Sequence, residues 1–378
     1  MPLDLSRHPF FTPWTEPASG VLSWILTERA AATQQGFYFV NPGIAGDERY
    51  LWFYAGWPPT PSKCLGVVSL DPEDPFIRTF PTTFFQKESP LVAADGRSCF
   101  FCSGNGVWRQ GLDGDPEPVL AMPEEILRKR PLRSLATHLT ISADGRYLLL
   151  DTHVGSHWLV AIGEIATGAV EVLKEWPAHH DHAQFSPRDP DLFLIAQDWW
   201  HDPTSGTYFG YDHRTWLMDV RRTRYEPLSP KDWYEHGTDA TRTRASHEWW
   251  GADGSVCWVD YDKGVFSLAP DAPPGTRPTH VWKGPLCHAH SDPSMRYWVA
   301  DESPYRWTTQ PCEVRFFDRE RDAVTVIAAL PKPPVPRHPL HLDPHPHFSS
   351  RGNWVIYTTT VMGRVDVALT PTGSLAAG

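Results

Sequence analysis

The stretch Ala143-Asp144-Gly145-Arg146-Tyr147-Leu148-Leu149-Leu150 joins a tight-turn signal to a strand signal. Asp-Gly supplies the positive-φ position that a hairpin turn needs, and the aromatic and aliphatic run after it suits a pleated strand. The same pattern recurs along the chain. Its other copies are Gly46-Asp47-Glu48-Arg49-Tyr50-Leu51-Trp52-Phe53, Ala94-Asp95-Gly96-Arg97-Ser98-Cys99-Phe100-Phe101 and Arg188-Asp189-Pro190-Asp191-Leu192-Phe193-Leu194. Three more follow: Ala252-Asp253-Gly254-Ser255-Val256-Cys257-Trp258, Asp292-Pro293-Ser294-Met295-Arg296-Tyr297-Trp298 and Ser350-Arg351-Gly352-Asn353-Trp354-Val355-Ile356-Tyr357.

Seven copies spaced about 40 to 65 residues apart match one four-stranded propeller blade per repeat. Further strand-like runs, such as His157 to Ile162 and Thr215 to Val220, lie between them. The expected fold is therefore all-β, a seven-bladed β-propeller forming a single domain over residues 1–378. A six- or eight-bladed ring is the main competitor. Val21 to Arg29 reads equally as a first strand or a short helix, and residues 1–35 are expected to close the ring. Pro123 to Arg130 reads as one short helix.

Lys and Arg number 34 against 45 Asp and Glu, a net charge of −11 with histidine neutral. That balance argues against general binding to nucleic acid or an anionic membrane surface. It leaves room for an acidic small substrate, because local arginines or a metal reverse the sign inside one pocket. There is no basic leader followed by an apolar run and no apolar stretch long enough to span a membrane, so the expectation is a soluble, cytoplasmic protein. The six cysteines form no spaced framework. Cys99 and Cys102 lie on one strand-like run, where i and i+3 face opposite sides, so buried free thiols are expected rather than a shared metal.

Histidine is concentrated in the second half. Groups at His179, His180 and His182, at His247, at His288 and His290, and at His338, His341, His345 and His347 fall just before the turn pattern in four successive repeats. Equivalent positions of successive blades converge on one mouth of the central channel, so these histidines are expected to meet. Within His341-Leu342-Asp343-Pro344-His345-Pro346-His347, the prolines favour extended backbone, and His345 and His347 then project from one face with Asp343 and His341 on the same parity. These residues read equally as half of a metal site or as a His-rich surface loop following the proline-rich run. The insertion from Gln197 to Arg214, with Trp199, Trp200, His201, Tyr208, Tyr211 and His213, and the proline-rich run Pro331 to Pro339 are expected to build a pocket wall or lid.

Four strings carry more than spacing: Asp181-His182-Ala183-Gln184-Phe185-Ser186-Pro187, Ser246-His247-Glu248-Trp249-Trp250, His288-Ala289-His290-Ser291-Asp292, and Asp343-Pro344-His345-Pro346-His347-Phe348-Ser349. Together with Tyr211-Asp212-His213-Arg214-Thr215-Trp216 they resemble the oligogalacturonate lyases, propeller enzymes of pectin breakdown, over residues 178–365. The resemblance implies a manganese or other divalent cation held by His288, His345 and His347. Leu342 stands where the family has a Gln ligand, so Asp343 or His341 would take its place. It implies His247 as catalytic base and Arg214 as the group assisting at the substrate carboxylate. It further implies His182 and Gln184 at the same mouth, and with them Trp199 and Trp249 are expected to contact an acidic oligosaccharide. The competing expectations are a non-catalytic propeller that binds a protein or glycan, and a metal-dependent hydrolase or isomerase of another acidic sugar.

Overall fold

The computed structural model describes residues 3–377 except 86, 203, 212, 229–244, 262, 303–310, 332–339 and 341. Its strands form seven antiparallel sheets arranged as a propeller, and a small separate hairpin. Each of the seven turn patterns opens the second strand of a blade: Tyr50–Gly56, Ser98–Ser103, Tyr147–Val154, Leu192–Gln197, Val256–Asp260, Tyr297–Glu302 and Trp354–Thr359. We number the blades 1 to 7 in that order. The first strands of blades 3 to 7 lie against one another in succession around the channel, so the side chains at their ends share one mouth.

Ring closure explains the ambiguous N-terminal segment. Leu22–Leu26 is a strand, and it pairs with Asp366–Pro371 of blade 7. Phe11–Thr15 then forms the outer edge of that blade, so its sheet has five strands drawn from both ends of the chain. Blade 7 is tied to blade 1 in turn: Ser350 N–H donates to Ile44 O at 3.0 Å, and Asn353 Nδ2 donates to Glu48 Oε2 at 2.7 Å. The expected helix is a single turn, Glu124–Leu127.

Apolar side chains fill the space between blades, which is why both faces of most central strands are buried. Cys99 and Cys102 illustrate this: both are buried in Ser98–Ser103, yet they belong to different core clusters on its two sides. All six cysteines are free and buried.

The turns themselves act as spacers between blades. Gly96 has φ 72°, and a Cβ added there would lie 2.5 Å from Ala45 O of the preceding blade. Trp52 Nε1 donates to Gly96 O at 3.0 Å across the same junction. Gly145 has φ 73° with nothing within 4 Å of an added Cβ. Gly145→Ala should therefore cost only the left-handed backbone penalty, about 1–2 kcal/mol. Gly96→Ala adds a backbone clash and should cost about 3 kcal/mol or more. Chemical denaturation of the two variants checks this; equal losses would contradict the spacer role.

Candidate active site

The ends of the first strands depart from regular pairing at the histidines. In blades 4, 5 and 6 a bulge falls between Asp181 and Gln184, between Ser246 and Trp249, and between Leu286 and Ala289. His182, His247 and His345 have φ of 55°, 53° and 45°. Bulges and non-glycine residues at positive φ re-aim side chains, and they concentrate at functional sites because the surrounding fold must hold them there. Here they turn imidazoles toward the channel mouth.

That mouth is a cavity of about 560 Å³, large enough for a small oligosaccharide. Its lining includes Tyr38, Lys63, His182, Arg214, His247, His288 and His345. Tyr38 stands in the middle. Its ring centroid is 5.0 Å from that of His345, 5.9 Å from His138, 6.1 Å from His288 and 6.2 Å from His182.

Asp301, fully buried on the second strand of blade 6, organises the side of the cavity that holds His288 and His345. Its Oδ1 accepts the His288 backbone N–H at 2.8 Å, and its Oδ2 accepts Nδ1–H of the same residue at 3.0 Å. Oδ2 also accepts the His345 backbone N–H at 3.1 Å from blade 7. Nε2 of His288 is thereby left to face other groups. Ligand atoms of His288, Asp343 and His345 all lie within 4.8 Å of one another, and all three residues are buried. Two imidazoles and a carboxylate, one imidazole backed by a second carboxylate, fit a divalent first-row cation. His288 also belongs to a second group of this kind with His247 and Cys287, where burial raises the Cys287 thiol above its ordinary range. Burial disfavours a charged His288, yet Asp301 outweighs it and raises the imidazole well above its ordinary value; metal binding would therefore displace a proton.

His247 sits against this group, its ring stacked on His288 with centroids 4.2 Å apart. Its Nδ1 hydrogen-bonds the Cys287 carbonyl, which only accepts, so Nδ1 carries the hydrogen and Nε2 the lone pair. Tyr261 Oη lies 3.2 Å from Nε2. Burial, with the neighbouring His288, holds His247 well below the ordinary histidine range, so it is neutral at neutral pH.

Arg214 is almost fully buried at the cavity wall. Its Nε donates to Glu248 Oε1 at 2.6 Å and its Nη2 to Glu248 Oε2 at 3.4 Å. Nη1 pairs with Asp198 Oδ2 at 2.9 Å and reaches Gln197 O at 3.5 Å. Three hydrogen bonds and one further ion pair thus hold the guanidinium within the protein. The planar fork expected to clamp a substrate carboxylate is instead turned onto Glu248.

Several other expectations are corrected. His347 does not join the metal-ligating group: its Nδ1 donates to His345 O at 2.8 Å, and its Nε2 faces the Gly43 N–H at 3.4 Å. The parity argument required extended backbone, and the positive φ at His345 breaks it. Gln184 is buried between blades, its Nε2 donating to Glu248 O at 2.7 Å, and its own carbonyl accepts the Trp250 indole N–H. Trp249 is core, packed edge-on to Trp298 with its indole N–H on Ser291. Leu342 packs with Leu340 and Val365. Trp199 does not line the cavity; it is half-exposed and stacks on Tyr208, beside the hairpin of Trp200–His201 with Tyr208–Phe209. His341 lies outside the described residues, as do Asp212 and positions 332–339 of the proline-rich run.

Two residues went unnoticed in the sequence. His138 is fully buried beside Tyr38 and His182, at the blade 3 position that corresponds to the other histidines. A repeated spacing marks it: His138 precedes Asp151 by thirteen residues, as His247 precedes Asp260 and His288 precedes Asp301. Tyr38 carries no such mark.

No protein-family model matches the chain, and no curated protein is significantly similar to it in sequence. Solved structures are similar in fold. An oligogalacturonate lyase in complex with manganese superposes with a TM-score of 0.73 at 16% identity, covering 98% of this chain and 96% of that one. The oligogalacturonate lyase of Vibrio parahaemolyticus gives a TM-score of 0.71 at 15% identity, covering 98% and 97%. The chain thus has the seven-bladed propeller fold of these two lyases. The similarity runs through all seven blades, not only the motif-bearing second half.

If Asp301 orients His288 for a cation, Asp301→Asn should weaken Mn²⁺ binding by about 10- to 100-fold. His345→Ala should abolish stoichiometric binding, whereas His347→Ala should leave it within a few-fold of wild type. Isothermal titration with Mn²⁺ measures all three, and a greater loss for His347→Ala than for His345→Ala would refute the assignment.

Proposed function

We propose that this chain is a metal-dependent lyase that cleaves short uronic-acid oligosaccharides, oligogalacturonates in the simplest case, by β-elimination. One observation carries the reading: a neutral His247 with a defined tautomer stacks on His288, a member of the His288, Asp343 and His345 group, inside one oligosaccharide-sized cavity. The fold shared with two oligogalacturonate lyases, one of them in complex with manganese, supports it.

A divalent cation held by His288, Asp343 and His345 would neutralise the uronate carboxylate and so acidify the proton on the adjacent carbon. His247 Nε2 takes that C5 proton. The electron pair left behind forms the C4=C5 double bond as the C4–O bond breaks, and the departing sugar oxygen receives a proton from the solvent or from the imidazolium. The Cys287 carbonyl holds Nδ1–H throughout and so stabilises the imidazolium that forms. Arg214, fixed by Glu248 and Asp198, contributes its remaining N–H at the cavity wall rather than a bidentate clamp. His182 lines the same cavity and is in position to contact the sugar, while Trp199 and Tyr208 offer an exposed aromatic face on the blade 4 insertion.

Enzyme, Mn²⁺ and digalacturonate should together produce the ultraviolet absorbance of a conjugated unsaturated uronate. His247→Ala should lower that rate by about 10²- to 10⁴-fold while retaining metal. Metal-loaded protein that produces no such absorbance from any of a panel of uronides would overturn the reading.

A further inference from the structure

The half of the cavity formed by blades 1 and 2 contains no histidine, and the β-elimination chemistry does not use it. It does contain a buried cation. Lys63 opens the strand Lys63–Ser69, is 8% exposed and lines the cavity beside Tyr54, Ser89 and Gln35. Its Nζ lies 3.9 Å from the centroid of the Tyr54 ring. Tyr54 is locked in turn, its Oη donating to Ser89 Oγ at 3.1 Å. Among the described residues no carboxylate forms an ion pair with Lys63, whereas the other buried cation of the cavity, Arg214, has two. Burial pulls the ammonium down to about 8, with Glu88 only partly opposing it.

An ammonium taken out of water without a counter-ion is costly, and a cavity that keeps one is suited to an anion from outside. Lys87, exposed, lines both this cavity and an adjoining one of about 360 Å³ whose wall carries Arg133 and Glu88, two cations against one carboxylate. This runs against the overall charge of −11.

We infer that Lys63 forms a second carboxylate-binding position in this cavity and so acts as a specificity-determining residue. The inference rests on the reading of the cavity as a uronide site and deepens it: the His288 side receives one carboxylate and Lys63 another. A monouronate satisfies one half of the site, and a neutral disaccharide satisfies neither.

Lys63→Met keeps the length of the stem and removes the charge; Lys63→Arg keeps the charge. With Mn²⁺-loaded protein carrying His247→Ala in every case to suppress turnover, calorimetry should show Lys63→Met binding digalacturonate about 10- to 100-fold more weakly than the Lys63 parent. Its affinity for monogalacturonate should be unchanged, and Lys63→Arg should recover much of the loss. Without any ligand, Lys63→Met should have a melting temperature equal to or above that of wild type, because an uncompensated buried charge is gone; a purely structural cation–π role predicts a lower one. Digalacturonate binding that Lys63→Met leaves intact, or a parallel loss for both ligands, overturns the subsite while leaving the uronide reading standing. Failure of the Lys63 parent to bind either ligand overturns that reading, and the subsite with it.

Discussion

One carboxylate holds the mouth of this propeller together. Asp301 accepts the backbone N–H and the ring N–H of His288 from its own blade and the backbone N–H of His345 from the next. A buried carboxylate needs several donors to be tolerated, and here those donors belong to two residues that line the cavity. Blade packing and site geometry are therefore set by the same contacts. Asp151 does related work in blade 3, where Thr137 donates both its N–H and its hydroxyl to the carboxylate, at 2.7 and 2.6 Å. A shared scaffold position thus serves as a strut in one blade and as the group that orients His288 in another.

The charge distribution follows from this arrangement. Arg214 is matched against Glu248 and Asp198, so it adds rigidity but little net positive potential. On the proposed reading, neutralisation of an acidic substrate would fall to a cation at the His288 group and to Lys63, which lines the same cavity. His247 stays neutral between them because it is buried and next to His288, and that is the protonation state a base requires. Each of these groups sits at a different blade, and only closure of the ring by Leu22–Leu26 against Asp366–Pro371 fixes their separations.

Much of the fold was legible because the turn pattern carries its own chemistry. Asp-Gly or Asp-Pro followed by an apolar run marks the hairpin in five blades, and Asp47-Glu48 and Arg351-Gly352 stand at the same place in the other two. Val21 to Arg29 was not resolved, because its apolar spacing suits both periods and its partner strand lies at the far end of the chain. The convergence of His182, His247, His288 and His345 followed from repeat phase. The failures share one cause, which is that local rules do not report tertiary strain or burial. The positive φ at His345 turns His347 away, and the space between blades claims Gln184 and Trp249. Lys63 and Tyr38 become site residues only because the ring brings blade 1 round to meet blades 6 and 7.

The account turns on a cation being held by His288, Asp343 and His345, beside His247. Anomalous scattering from crystals grown with Mn²⁺ tests this most directly. The account predicts one strong peak within coordination distance of those three side chains, with Asp301 still bonded to His288. A peak instead at the neighbouring His179, Asp181 and Asp198 group, or none anywhere in the cavity, would contradict it.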